Sequence, residues 1–264
     1  MSAALTYRRA LIVSAALITG AALFFILRNP PPPPAKPAPA IPAKNDPAAR
    51  PGASFQPPLE LAKAAALPTA DIALQLAGWP EGNVHADLPR WAALLAARGP
   101  AAVNDLASAL ATAGSNTARG VLADALARIG TDSAIQELCT QAVKAPDAKA
   151  SAVIAESFRA LSRPAAVPML ATLFSETGAD TLVAEAGDAI RRLADEAGVH
   201  ALADLAQESG QLHAQRELIF KALANLQNPD ALPALKALAA DTTDPDRARA
   251  AAAGVAGMES RGAR

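Results

Sequence analysis

The sequence predicts an all-α protein, an α-solenoid of stacked helical hairpins preceded by a single transmembrane helix and a Pro-rich linker. Three observations predict it. The first is an internal repeat: in Leu226, Leu232 and Leu235 apolar anchors stand at 0, +6 and +9, and the same frame is met by Ile129, Ile135 and Leu138, by Leu161, Val167 and Leu170, and by Leu193, Val199 and Leu202. The first anchors lie 32, 32 and 33 residues apart, the period expected of units that bury their apolar faces against their neighbours. The second is composition. Hydrophobic residues make up 52% of the chain and aromatics only 3%, so the apolar content is mostly alanine, which favours helix and permits close helix packing. The third is the placement of 22 prolines. Twelve lie between Pro30 and Pro58, and many of the others stand where helices are due to begin or end.

In chain order, residues 1–9 form a short basic tail, and 10–28 the transmembrane signal-anchor helix. Ala10 to Leu27 holds no charge, and as a helix it would span roughly 27 Å, close to the hydrocarbon thickness of a bilayer. Arg8 and Arg9 precede the segment, so the N-terminus is expected in the cytoplasm and the remainder exported. A cleaved signal peptide is the competing reading. The apolar run is longer than such peptides carry, and it meets Arg28 without a nearby small-x-small site. No cysteine follows it closely enough for lipid anchoring; the only cysteine is Cys139, which also rules out an internal disulfide or a cysteine-based metal cluster.

Residues 29–58 are a spacer whose prolines hold it extended, with a reach of roughly 90 Å. A ligand for a proline-binding domain is the alternative, and its place between anchor and folded part favours the spacer. Residues 1–58 carry six Lys or Arg and one acid, leaving 18 basic and 24 acidic residues beyond them. An acidic folded part argues against nucleic acid, which needs a clustered basic surface.

Residues 59–87 read as an irregular capping hairpin, with Leu59 to Leu67 stopped by Pro68 and a second stretch from Asp71 to Ala77. The regular array occupies 88–258, and 259–264 form a C-terminal tail. A weaker copy of the frame at Ala97, Val103 and Leu106 extends the series upstream. Three residues before each anchor the side chain is large (Leu94, Leu126, Phe158, Ile190, Leu223), and four before it is small (Ala93, Ala125, Ser157, Ala189, Ala222). Adjacent large and small columns are what interlocking helices require. Five before the anchor stand Asp124, Glu156 and Asp188, with Arg128, Arg159 and Arg192 three or four residues later; these are expected to form surface ion pairs within each helix. Each unit is thus helix, tight turn, helix, and Pro245 to Met258 is a first helix standing alone.

Ala222 to Leu235, reading ALANLQNPDALPAL, resembles the HEAT-like repeat found in phycobilisome lyases, whose units run approximately A-L-x-x-L-G-D-P-x-A-L-P-x-L. Ala125 to Leu138 matches with Gly130 in place, Ala160 to Leu170 keeps Pro168, and Ala189 to Leu202 has His200 where proline is usual. The resemblance covers about 170 residues from near Asp87 to Met258. It implies a curved solenoid, and for most members a binding scaffold; it also raises a bilin-lyase-like or chaperone-like enzyme, against which the scarcity of aromatics speaks. A mechanical cell-wall tether is a third possibility.

No phosphate loop, nucleophile elbow or His-carboxylate pair is present, and the chain is expected not to be an enzyme. His213 and Glu217 stand four apart, which supplies two metal ligands without a third. Cys139 falls at a position that is Ala171 and Ala203 in sister units and reads as a packed small residue. Glu185 sits in a column otherwise filled by Val121, Val153 and Leu218, a charge in an apolar place that a change of helical phase at Gly187 would explain. The expected function is a membrane-anchored protein-protein interaction scaffold of the bacterial inner membrane, with its repeat domain in the periplasm. Its partner is expected to be another envelope protein with basic or small polar groups; neither a cofactor nor a small-molecule ligand is expected. In such solenoids the second helices line the concave surface, which makes Glu137, Thr140, Met169, Thr172, Asp204 and Glu208 the candidate partner-binding residues, with Trp79 in its loop as another.

Overall fold

The computed structural model describes residues 61–81, 87–175, 180–208 and 213–262. The chain divides into Met1–Phe55, outside those residues, and Gln56–Arg264, to which everything below belongs. The expected anchor and the whole of the spacer fall outside the described residues, among which no helix is long and apolar enough to cross a membrane.

All regular structure among the described residues is helical. A single turn of helix, α1 (Leu61–Ala64), leads past Pro68 into α2 (Thr69–Ala77). Helical hairpins follow: α3 (Leu88–Ala96) with α4 (Val103–Thr112), α5 (Asn116–Ile129) with α6 (Asp132–Val143), α7 (Ala148–Glu156) with α8 (Val167–Thr172), α9 (Asp180–Leu193) with α10 (Glu196–Glu208), and α11 (His213–Ala224) with α12 (Leu232–Ala240). Helix α13 (Pro245–Gly262) closes the series, four residues longer than the sequence predicts.

Helix ends are set by local chemistry. Ser115, Thr131 and Asp147 cap α5, α6 and α7, each accepting from the backbone N–H three residues on, which satisfies one of the donors a helix start leaves open. Gly130 ends α5 in the left-handed region at φ 62°, where a side chain would be strained, and its N–H donates to the Leu126 carbonyl. Where proline opens the second half of a hairpin, a 3-10 turn precedes the α-helix, as at Gly99–Ala102, Pro164–Ala166 and Pro229–Ala231.

Contacts sort the helices into two layers. The first helices stack on one another in the order α3, α5, α7, α9, α11, α13, and the second in the order α2, α4, α6, α8, α10, α12. The capping segment thereby supplies a helix, α2, to the second layer. Between the layers runs the core that the anchors mark: Val103, Leu106, Ile135, Leu138, Val167, Leu170, Val199, Leu202 and Leu235 are all buried, with Leu232 half-buried. The large column before the anchor is equally enclosed from Leu126 onward, with Phe158 and Ile190 fully shielded from solvent.

Successive hairpins are also tied by hydrogen bonds to helix-end carbonyls. Arg98 donates to the carbonyls of Ala65 and Leu67 at 2.8 and 3.1 Å. Arg163 reaches Gly130 at 3.0 Å, Arg192 reaches Leu161 at 2.7 Å and Phe158 at 3.2 Å, Asn228 reaches Leu193 at 3.2 Å, and Arg261 reaches Leu226 at 2.6 Å. Each donor lies one unit downstream of its acceptor and reaches carbonyls at the end of a helix, where intrahelical partners run out. This corrects the expected ion pairs. Asp124 and Arg128 do pair within α5, at 2.9 Å. Arg159 instead crosses to Glu185 on α9, Asp188 takes Arg191, and Arg192 is drawn to backbone oxygens. Glu185 is therefore no stray charge in the core, since its carboxylate faces a guanidinium from the neighbouring hairpin.

The turn between α12 and α13 holds the densest ionic contacts of the described residues. Arg247, buried at 3% exposure, donates to Asp241 at 2.5 Å and Thr243 at 3.2 Å, while Arg216 on α11 donates to Asp244 at 2.6 Å. Asp241 is held below the usual carboxylate range by the Thr243 backbone N–H first and then by the Thr243 hydroxyl and Arg247. At Asp244, burial opposes ionisation, but the Arg247 N–H and the Arg216 guanidinium outweigh it and keep the pKa low. Both groups bind protons more weakly in the folded state, so their stabilisation is complete above the ordinary value of 3.8 and is lost as pH falls through the lower native values. A urea midpoint that drops between about pH 5 and about pH 2.5, and drops less in Asp244→Asn, is the expected result.

Candidate functional site

The second layer brings most of the predicted binding residues onto one face. Positions 8 and 11 after the anchor lie one helical turn apart, and they carry Glu137 and Thr140 on α6, Met169 and Thr172 on α8, and Ala201 and Asp204 on α10. Because α6, α8 and α10 stack in that order, the columns run in line across three hairpins. Glu137, Thr140 and Met169 are half-buried, while Thr172, Asp204 and Glu208 are exposed. The Thr172 hydroxyl donates to the Met169 carbonyl at 2.7 Å, which ties it back to its own helix.

The same register extends to α4, where it places Asp105 and Ser108. These two were missed because their anchor, Ala97, is the weakest copy of the repeat; the column rule applied from Val103 and Leu106 would have found them. Trp79 stands apart from the face. It is half-buried and meets Trp91 edge to face, with ring centroids 5.5 Å apart and planes at 87°, a geometry that favours packing between the two rings.

Charge separates the layers. The second-layer helices carry Asp71, Asp105, Asp132, Glu137, Glu196, Asp204 and Glu208 against a single lysine, Lys236, whereas the first-layer helices carry eleven Lys or Arg and eight acids. Of the second-layer acids only Asp132 has a cation within reach among the described residues, Arg163 at 4.0 Å. A row of carboxylates without internal counterions favours a partner that brings its own positive charge.

The remaining candidates resolve into ordinary places. His200 is exposed within α10. His213 and Glu217 approach to 3.3 Å on an exposed face, and no group of three or more His, Cys, Asp or Glu suited to a metal occurs among the described residues. Cys139 is buried, and desolvation pushes its thiol up to about 12, which leaves almost no thiolate near neutrality. Iodoacetamide labelling of the native protein at about pH 8 is expected to be at least about a hundredfold slower than labelling in denaturant. Comparable rates in the two states would place the thiol at the surface. Comparison with known proteins finds no matching family model, no matching curated protein and no matching solved structure.

Proposed function

We propose that the chain is a membrane-anchored interaction scaffold of a bacterial envelope. Residues 10–28 serve as the signal-anchor helix, 29–58 as an extended spacer, and the two-layered helical array as a HEAT-like α-solenoid that presents its second-layer face to another protein in the periplasm. The observation that carries this reading is the alignment of Asp105, Ser108, Glu137, Thr140, Met169, Thr172 and Asp204 along consecutive stacked helices. A surface of that kind reads an extended or helical partner along its length, and its unpaired carboxylates select lysine and arginine.

A photo-crosslinker placed in cells at Thr140 or Thr172 is expected to capture one defined protein, and the double change Glu137→Lys and Asp204→Lys to abolish the capture. Capture that survives charge reversal, or that occurs equally from Arg90 on the first layer, would sink the face assignment. A phosphatase fused after Arg50 tests the anchor. Activity is expected only outside the cytoplasm, and the opposite result would overturn export.

A further inference from the structure

The carboxylates of the second layer recur at a helix-to-helix interval. Eight residues after the anchor, α4, α6 and α8 carry Asp105, Glu137 and Met169, one to each helix. Packed helices lie about 8–10 Å apart, and that distance separates each member of the column from the next. Asp105 and Glu137 are both half-buried, and neither has an ionic partner among the described residues. A carboxylate partly withdrawn from water is screened less than one on an open surface, so a cation brought to it is held more strongly.

A second column runs beside the first. About 4.5 Å further along the same helices stand the hydroxyls of Ser108 on α4 and Thr140 on α6, and on α10 the carboxylate of Asp204. A lane with carboxylates on one side and hydroxyl donors on the other suits a chain whose carbonyls are free. A helical partner spends its carbonyls on itself, whereas an extended one leaves them for Ser108 and Thr140. Among extended conformations the interval decides. Side chains of a β-strand return to one face after two or four residues, about 7 or 13 Å, and neither fits. Polyproline II repeats every three residues at about 3.1 Å each, so a side chain returns to the same side after about 9.3 Å. That is the spacing of stacked helices.

We propose, on the premise that the second layer is the binding surface, that it holds a proline-rich basic segment of its partner as polyproline II, crossing the helices with a lysine or arginine at every third residue. Successive cations meet Asp105 and Glu137. The next lays its aliphatic stem across Met169, and the one after it turns to Asp204.

Fluorescence anisotropy of the full-length protein tests this with a labelled peptide made of three Arg-Pro-Ala units and a final arginine, against an isomer whose four arginines stand together at its start. At about 150 mM salt the spaced peptide is expected to bind at least about tenfold more tightly than the isomer. Glu137→Gln is expected to weaken the spaced peptide about tenfold with the far-UV helical spectrum retained. Equal affinity for the two peptides, or tighter binding of a helical peptide with arginines seven residues apart, would overturn the proposal. If Glu137→Lys with Asp204→Lys then abolished binding of both, the face itself would stand. No binding of either peptide at millimolar concentration, with the crosslinker at Thr140 still capturing a protein, would overturn the period-three partner alone; loss of that capture as well would remove the face beneath it.

Discussion

Replacing Phe158 by alanine is expected to destabilise the protein by about 3–5 kcal/mol. Phe158 is the largest fully buried side chain among the described residues, and it fills the large column of the third hairpin, in the 3-10 segment Ser157–Ala160 that ends the first helix. Its own backbone carbonyl accepts from Arg192 in the fourth hairpin. The change would therefore open a cavity at the centre of the array and loosen the segment through which the third hairpin meets the fourth. In a stacked array each unit contacts only its neighbours, so a weakened central interface lowers cooperativity as well as stability. Urea unfolding followed by far-UV circular dichroism is expected to show both an earlier midpoint and a broader or two-step transition. An unchanged midpoint would mean that Phe158 is not part of the core.

The second large effect is expected at Gly254→Ala. In an exposed helix interior this change would help, by about 1 kcal/mol. Here an added Cβ would lie 2.5 Å from the Leu223 carbonyl oxygen and 3.3 Å from Leu235 Cδ1. The first obstacle is backbone of α11, which cannot turn aside as a flexible side chain can. Helix α13 must move away from α11 and α12 together, and the net result is a loss of about 2–3 kcal/mol. Thermal unfolding is the measurement, and limited proteolysis is expected to cut first within α13. A stabilised variant would show that α13 does not dock on Leu223 as described.

The architecture was legible because the anchors at 0, +6 and +9 mark positions enclosed between the two layers, and Leu138, Leu170, Leu202 and Leu235 are all buried there. Alanine columns added the close approach of successive first helices. What stayed hidden is where side chains seek partners outside their own helix. Arg192 stands four residues after Asp188, the spacing of a helix-surface pair, yet its acceptors are carbonyls about one unit upstream. Backbone oxygens leave no signature in a sequence. Glu185 looked misplaced for a related reason, since its counterion Arg159 belongs to the preceding hairpin. The candidate face was legible wherever the repeat is strong, at Glu137, Met169 and Asp204, and illegible where the anchor has decayed, at Asp105.

The carbonyl contacts of Arg98, Arg163, Arg192, Asn228 and Arg261 all run from a later hairpin to an earlier one. The array consequently has a grain. A shortened protein that loses hairpins from its start sheds acceptors and leaves the contacts among the remaining hairpins in place, whereas one cut back from its end strips the donor from a newly terminal second, third, fourth or fifth hairpin. Trimming from the two sides is thus not equivalent: fraying should begin at the later boundary, and a graft that lengthens the array has to bring its own arginine or asparagine to the junction.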